Sequence, residues 1–245
     1  MHALGLAKTL ILLLPTAHGL YVSADSRYDG GDPDKRDQAR KLFLCGKRAV
    51  CGISGGLVVN VRSTESEGSL DVAGNLEEIA KQIPEASAAD QVRWLANRMQ
   101  GAIRDFWAKH LEGRRVPRPM SAMLGAPSVC TILFARMDES GEASLYQVQF
   151  QFREVPHPEG GWLHELGNPA IRPADAGRPL AQGATHCMRI RPDQPPAVET
   201  REETLGTLKT LFARTQDGGS CAAVIGGPVD IAVITADGAA WLERK

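Results

Sequence analysis

Residues 9–27 read TLILLLPTAHGLYVSADSR, and this stretch decides how the fold begins. The apolar run 10–14 ends at Pro15, and a second β-favouring run follows over 20–24. Two such runs separated by turn-forming residues are typical of a β-hairpin. The sequence therefore predicts a buried strand over 9–14, a turn over 15–19 and a return strand over 20–24.

The same N-terminal residues also imitate a secretory signal, because MHALGLAK is followed by the apolar TLILLL. The unbroken apolar run is short for a signal core and far too short for a membrane span. Cleavage of a signal peptide near Ala17 would delete the first predicted strand. We therefore expect a cytoplasmic protein without a membrane helix. Export is the alternative, if residues 1–19 act as a signal peptide.

Further along the chain, strand and helix signals come in blocks. A second hairpin is predicted over 41–44 and 49–53, and a third pair of strands over 129–137 and 144–155. Asn75 is expected to cap a helix over 76–83, and Ser87 with Asp90 begins a longer helix whose apolar residues recur at three- and four-residue steps. This order favours an α+β fold over an alternating parallel sheet.

The C-terminal part predicts one more helix and one more hairpin. Thr200 and Glu203 form a T-x-x-E capping box at the start of the helix. Strands are expected over 229–235 and, after a turn at Asp237, through Trp241. The Pro- and Gly-rich stretch 156–179 is expected to be irregular. Residues 9–245 are predicted to form one domain, preceded by a short, removable leader over 1–8.

Composition excludes several classes of function. With 43% apolar residues the chain can bury a large core, and a net charge of -1 provides no field that would attract nucleic acid. The cysteines show no CxxC spacing and are predicted to be buried free thiols; they are Cys45, Cys51, Cys130, Cys187 and Cys221. The six histidines include no pair at i, i+4 spacing, so we expect no metal and no cofactor.

Two motifs suggest a functional site, but each also has a purely structural interpretation. GISGG at 52–56 has the spelling of a nucleophile elbow around Ser54, which makes a serine hydrolase one alternative. A β-favouring run follows it instead of a helix, so a glycine turn after a strand is preferred. The acidic loop around Asp29, Asp32, Asp34 and Asp37 lacks the bidentate Glu of a calcium loop and is predicted to be a solvated charged loop.

A third set of residues, Thr9, Asp25 and Lys41, suggests nucleophilic catalysis. A threonine hydroxyl needs a base to take its proton and a positive charge to stabilise the alkoxide. If residues 1–8 were removed, the freed α-amine of Thr9, with a pKa of about 8, would be a base next to the hydroxyl of the same residue. Lys41, held by Asp25, would supply the charge. As a surface or cleft lysine it would contribute little to folding.

The N-terminal third resembles the proteasome β-subunit-like family of N-terminal nucleophile (Ntn) hydrolases. The resemblance rests on Thr9 at the start of a strand, ADSR at 24–27, KLF at 41–43 and GISG at 52–55. Asp25 lies 16 residues after Thr9, and Lys41 lies 32 residues after it, which is the spacing of that family. Near the C-terminus, IGGP at 225–228 and the later Asp-Gly pair look like the family's strand entry and hairpin.

The resemblance implies a fold and an activity. The fold would be an α+β four-layer αββα sandwich of two antiparallel sheets. The activity would be that of a threonine-type peptidase or amidohydrolase, with Thr9 as nucleophile, Lys41 as electrostatic activator, Asp25 as its orienting partner and the Gly55 amide in the oxyanion hole. It further implies self-cleavage before Thr9, a peptide or protein substrate, a homo-oligomeric ring and an unfoldase partner of unknown identity. The short leader favours a β-type over an α-type subunit.

Three positions depart from the family pattern and keep another alternative open. Lys8 stands where the family has Gly before the nucleophile, and Ala222 and Ile225 stand where it has an Asp and a Ser that support the terminal amine. Asp217 and Ser220 could substitute for them only in a remodelled loop. The alternative is a catalytically silent proteasome-like subunit or binding module, in which Thr9 simply occupies the first strand.

Overall fold

The computed structural model describes residues 9–27, 37–62, 67–124, 128–184, 198–216 and 225–244. The strands of the first half are β1 Leu10–Thr16, β2 Gly19–Asp25, β3 Leu42–Cys45, β4 Ala49–Gly55, β5 Val58–Arg62 and β6 Glu67–Asp71. Those of the second half are β7 Ser128–Met137, β8 Ala143–Pro156, β9 Trp162–Leu166, β10 Ala170–Ala174, β11 Leu180–Gly183, β12 Val229–Thr235 and β13 Gly238–Glu243. The helices are α1 Val72–Lys81, α2 Ala88–His110, α3 Met120–Leu124 and α4 Arg201–Gln216.

These strands form three antiparallel sheets within the described residues. The five-stranded sheet has the order β11-β1-β2-β12-β13, and the six-stranded sheet has the order β10-β8-β7-β4-β3 with β9 paired to β8. β5 and β6 form a separate two-stranded sheet. All four predicted hairpins are present, β1–β2, β3–β4, β7–β8 and β12–β13, with bounds that differ from the predictions by one or two residues.

β1 reads as an unbroken apolar run because both of its faces are buried. Ile11 and Leu13 pack in a cluster that also contains Leu133 of the six-stranded sheet. Leu10, on the other face, packs in a cluster with Phe212 of α4. The helices α1 and α2 contribute to a third cluster with the six-stranded sheet.

The predicted fold class, an α+β four-layer αββα sandwich of two antiparallel sheets, is wrong. The described residues are mostly antiparallel β, with 44% strand against 27% helix in four helices, and they form three sheets. Two strands that were not predicted, β9 and β10, lie in 156–179, which was expected to be irregular. Pro173 argues against a strand in the sequence, yet β10 is an edge strand, where a residue without an N–H is tolerated.

Helix starts follow local capping chemistry. Ser87 caps α2, since its side chain accepts from the amide of Asp90, and the Thr200–Glu203 box at α4 is reciprocal, as predicted. α1 begins earlier than predicted. Asp71 is its N-cap and accepts a hydrogen bond from the amide of Gly74 at 2.8 Å, so Asn75 lies inside the first turn.

The cysteine prediction is wrong in one part. Cys45 and Cys51 form a disulfide that joins β3 to β4, whereas Cys130 is free and buried as expected. Burial raises the pKa of the Cys130 thiol, so it stays protonated and unreactive at neutral pH. Cys187 and Cys221 lie outside the described residues.

Two kinds of feature are absent from the described part of the chain. None of its helices is both long and apolar enough to cross a membrane. No cluster of three or more His, Cys, Asp or Glu side chains in the same residues is arranged to hold a metal ion.

A buried histidine joins α3 to the β8–β9 hairpin. The side chain of His164 is fully buried, its Nε2 accepts from the amide of Met120 at 3.3 Å, and it lies 3.3 Å from a carboxylate oxygen of Glu154. Burial lowers the pKa of His164, and Glu154 only partly opposes this. Burial alone would raise the pKa of Glu154, but hydrogen bonds from the hydroxyl and amide of Ser121 lower it overall.

We therefore expect stability to fall as the pH is lowered. A histidine whose pKa is lowered in the folded state stabilises the fold fully above its unfolded pKa, about 6.5, and this contribution is lost as the pH falls towards the folded value. The slope is at most about 1.4 kcal/mol per pH unit. Urea unfolding between about pH 7 and 5, above the unfolded pKa of a glutamate, measures it. His164→Gln should flatten the curve, and equal slopes in this variant and in the parent would contradict the prediction.

Candidate functional site

Asp25, at the end of β2, is the centre of a buried polar cluster. Its Oδ1 accepts hydrogen bonds from Lys41 Nζ at 3.0 Å and from the amide of Leu10 at 2.9 Å. Its Oδ2 accepts from the amides of Arg27 at 3.2 Å and Gly226 at 3.3 Å. Four donors from four parts of the chain therefore hold one carboxylate and fix its direction.

Lys41 lies just before β3 and forms an ion pair with Asp25 in which both side chains are 0% exposed. Its carbonyl accepts from the amide of Ile53, so the backbone at Lys41 is tied to β4. The expectation of a surface or cleft lysine is therefore wrong. The desolvation of two charges costs free energy. This cost is recovered only where the two charged groups are in close contact and hydrogen-bonded, as they are here.

Thr9 directly precedes the residue whose amide donates to Asp25. Thr9 is 1% exposed, and its carbonyl accepts from the amide of Ala184 at 2.7 Å. Within the described residues its Oγ1 has no hydrogen-bond partner, which is unusual for a buried hydroxyl. The structure thus brings Asp25 and Lys41 into direct contact and bonds the amide of Leu10, the residue after Thr9, to the same carboxylate.

Gly183 at the end of β11 allows a close approach to Thr9. It pairs with Leu10 and has φ +94°, and a Cβ at this position would lie 1.9 Å from the carbonyl oxygen of Thr9 and 3.4 Å from Cβ of Ser54. Only glycine fits both the backbone conformation and the space. Gly183 therefore lies between the strand of Thr9 and the end of β4.

Gly183→Ala should lower the free energy of unfolding by about 1–3 kcal/mol through the backbone alone, the cost of a non-glycine residue in a disfavoured backbone region. The clash with the Thr9 carbonyl adds to this. Gly101→Ala is the matched control, because Gly101 lies in α2 with open space around its Cα, and there alanine should stabilise by up to about 1 kcal/mol. Chemical denaturation measures both. A Gly183→Ala protein as stable as the parent would show that β11 does not approach Thr9 as described.

Gly55 ends β4 and pairs with Cys130 of β7. Its φ is +98°, and an added Cβ would lie 3.1 Å from Cα of Cys130. The preceding residue, Ser54, is the part of β4 that comes close to Gly183. Gly55, the fourth predicted site residue, therefore lies in the six-stranded sheet, whereas Thr9 directly precedes β1 of the five-stranded sheet. Gly183 lies between Thr9 and Ser54, the neighbour of Gly55.

Gly226 holds Asp25 from the other side through its amide. A Cβ on Gly226 would lie 2.3 Å from Cζ of Arg27, so this backbone packs directly against the guanidinium. Arg27 in turn donates two hydrogen bonds to Asp37, at 2.7 and 2.9 Å. Of the acidic loop, Asp37 thus pairs with an arginine, and Asp29, Asp32 and Asp34 lie outside the described residues.

The departures from the family pattern have a partial structural account. Ile225 is fully buried in the cluster that includes Leu208 and Phe212, so its side chain is part of the packing under α4. An aliphatic side chain has no polar atom with which to support an amine. Lys8, Asp217, Ser220 and Ala222 lie outside the described residues.

Ser54, the alternative nucleophile, lies within β4 and is 4% exposed. Its Oγ accepts from Nε2 of Gln182 at 2.9 Å and lies 3.5 Å from the carbonyl of Thr131, to which it donates. A nucleophile elbow needs an exposed serine on a strand-to-helix turn, with a base as its partner. An amide donor and a carbonyl do not activate a hydroxyl, so the geometry gives Ser54 no support as a nucleophile.

Sequence reasoning did not identify Gln182 and Gly183 as site residues. Neither lies in a motif, and both belong to a four-residue strand after a Pro- and Gly-rich stretch. Only the pairing of β11 with β1 brings them to Thr9.

Comparison of the chain with models of known protein families gives no match, and comparison with curated proteins gives no similar sequence. The function is therefore argued from the site itself.

Proposed function

We propose that the chain is a threonine-type peptidase or amidohydrolase that acts through Thr9 after residues 1–8 are removed. One observation carries the proposal. The fully buried Lys41–Asp25 ion pair is hydrogen-bonded to the amide of Leu10, the residue after Thr9, and the buried hydroxyl of Thr9 makes no hydrogen bond within the described residues. The spacing of these residues, which resembles that of proteasome β-type subunits, supports the same assignment.

The ion pair supplies the electrostatic part of the chemistry. A lysine charge held in a site without water stabilises a developing alkoxide far more than it would in water. Asp25, with its four donors, keeps that charge in place and needs no reorganisation during the reaction. The hydroxyl of Thr9, which has no partner in the part of the chain that the structure describes, is left available to the base.

In the proposed reaction the freed α-amine of Thr9 takes the proton of Oγ1, and Oγ1 attacks the carbonyl carbon of the scissile amide. The amide of Gly55 donates to the resulting oxyanion. The protonated amine then gives its proton to the leaving nitrogen, the C–N bond breaks, and the acyl group remains on Oγ1 as an ester. Water, deprotonated by the same amine, hydrolyses the ester and restores Thr9.

Removal of the leader has two effects in this mechanism. It creates the α-amine, and it must open a path to Thr9, which is only 1% exposed in the full chain. A chain that retains residues 1–8 would therefore be inactive. A peptide or protein is the proposed substrate, and ring-forming self-association with an unfoldase partner is proposed on the resemblance alone.

A catalytically silent subunit is the second candidate, and Ile225 favours it, because a buried aliphatic residue stands where a supporting serine is expected. Intact-mass measurement of the purified protein separates the two. Loss of residues 1–8 is required by the hydrolase, whereas a persistent leader together with an inactive chain starting at Thr9 would establish the silent subunit. A fluorophosphonate probe that labels Ser54 would instead support the serine hydrolase.

Two observations bear on the compartment. β1 pairs with strands on both sides, so a signal peptide ending near Ala17 would remove an interior strand of the five-stranded sheet. On this ground we propose that residues 10–16 stay in the mature protein and that the protein is cytoplasmic. The disulfide Cys45–Cys51 favours the exported alternative, since disulfides persist mainly in oxidising compartments. Sequencing the N-terminus of the native protein distinguishes the two.

A further inference from the structure

We infer that Gln182 is a positioning residue that fixes the Gly55 end of β4 relative to Thr9, an inference that rests on the proposed function. The nucleophile and the oxyanion donor belong to different sheets, the five-stranded and the six-stranded sheet. Catalysis needs them in a defined relation, because a displacement of about 1 Å can cost about 100-fold in rate. A side chain that bonds across the two sheets at this point would hold them.

β11 provides the link on the side of Thr9. Its register with β1 places Gly183 opposite Leu10 and Gln182 opposite Ile11. The next residue, Ala184, donates its amide to the carbonyl of Thr9 at 2.7 Å. The residue directly after β11 is thus bonded to the nucleophile's own carbonyl.

The side chain of Gln182 makes the link to the other sheet. It is 6% exposed, and its Nε2 donates to Ser54 Oγ at 2.9 Å and to the carbonyl of Thr131 at 3.1 Å. Its Oε1 accepts from Nε2 of Gln147 at 3.3 Å. All three contacts are on β4, β7 or β8 of the six-stranded sheet.

This satisfied polar cluster is out of place for a simple core. The adjoining inter-sheet cluster is aliphatic, with Ile11, Val50 and Leu133. A buried amide needs every hydrogen bond to offset its desolvation, so it is a costly residue to place in a core for packing alone. The amide instead fixes the orientation of the groups to which it is bonded. It orients Ser54, whose neighbour Gly55 carries the proposed oxyanion donor.

The test is a double-mutant cycle of Gln182→Leu and Ser54→Ala in the chain that starts at Thr9. Each single substitution should lower kcat for a peptide substrate by about 10- to 100-fold, with KM and the midpoint of the pH profile unchanged, because neither residue is the base. If Gln182 acts through Ser54, the double variant should be no slower than the slower single variant. Effects that multiply would overturn the inference.

Gln100→Leu is the matched control. Gln100 is also 6% exposed and donates to a backbone carbonyl, that of Gly167, from α2. It should lose thermal stability as Gln182→Leu does but keep kcat. An equal fall of kcat in both variants would show that Gln182 acts only through stability and would overturn the inference.

Hydrogen–deuterium exchange gives an answer that does not depend on turnover. Gln182→Leu should raise exchange at residues 53–56 and at 9–11 together, and Gln100→Leu should raise it at neither segment. An inactive wild-type chain starting at Thr9 would refute the proposed function while the exchange data still test the link. Unchanged exchange at both segments in Gln182→Leu would overturn the inference, whatever the peptide assay shows.

Discussion

Lys41→Met should abolish peptide hydrolysis and also lower the free energy of unfolding by about 3–5 kcal/mol, the usual cost of removing one partner of a buried ion pair. Methionine fills a similar volume, so the main change is the lost charge. Asp25 would then be a buried carboxylate without its cation. The activity loss follows because the alkoxide of Thr9 would have no positive charge beside it. Steady-state kinetics and urea unfolding measure the two effects.

Two further variants separate the activity from the stability. Asp25→Asn combined with Lys41→Met removes both charges, and this double variant should recover much of the lost stability but none of the activity. Lys81→Met, at an exposed lysine that pairs with Glu78 on the surface of α1, should change neither property. Unchanged turnover in Lys41→Met, on the same peptide as the parent, would remove Lys41 from the mechanism.

Thr9→Ala in the chain that starts at residue 9 should lower kcat/KM by at least about 1000-fold, because the nucleophile is lost and only binding and oxyanion stabilisation remain. The stability should change by no more than about 1 kcal/mol. The hydroxyl makes no hydrogen bond within the described residues, so its removal leaves no partner unsatisfied. A residue that matters for rate and not for folding is the signature of a catalytic group.

Several measurements accompany this variant. Thr9→Ser keeps a hydroxyl and should retain measurable activity. In the parent, a β-lactone or epoxyketone probe should attach to Thr9, and the rate should rise with pH through the pKa of an α-amine, roughly 7 to 8. If the trimmed parent folds yet neither hydrolyses peptides nor accepts the probe, the hydrolase proposal fails and the silent-subunit alternative replaces it.

Local signals in the sequence were sufficient where the structure follows from neighbouring residues. The hairpin β1–β2 follows from two apolar runs around Pro15, and the start of α2 follows from the hydroxyl of Ser87. The association of Asp25 with Lys41 was also predicted, but from a spacing that resembles a known family. Nothing in the residues themselves requires these two charges to meet.

Other features depend on contacts that no local pattern reveals. α1 begins at Val72 because the carboxylate of Asp71 accepts from the amide of Gly74, whereas the sequence predicted Asn75 as the cap. The strands β9 and β10 form in a stretch rich in Pro and Gly, because β8 provides an edge to which they can pair. The disulfide Cys45–Cys51 likewise requires the pairing of β3 with β4.

By itself, the sequence determined the strand and helix segments with strong periodicity, and the caps of α2 and α4. Only the tertiary structure decided the burial of Lys41 and the role of β11. Burial depends on what packs over a residue from distant parts of the chain, and one lysine looks like any other in a sequence. The pairing of β11 with β1 joins residues more than 160 positions apart, and this contact brings Gln182 and Gly183 to Thr9.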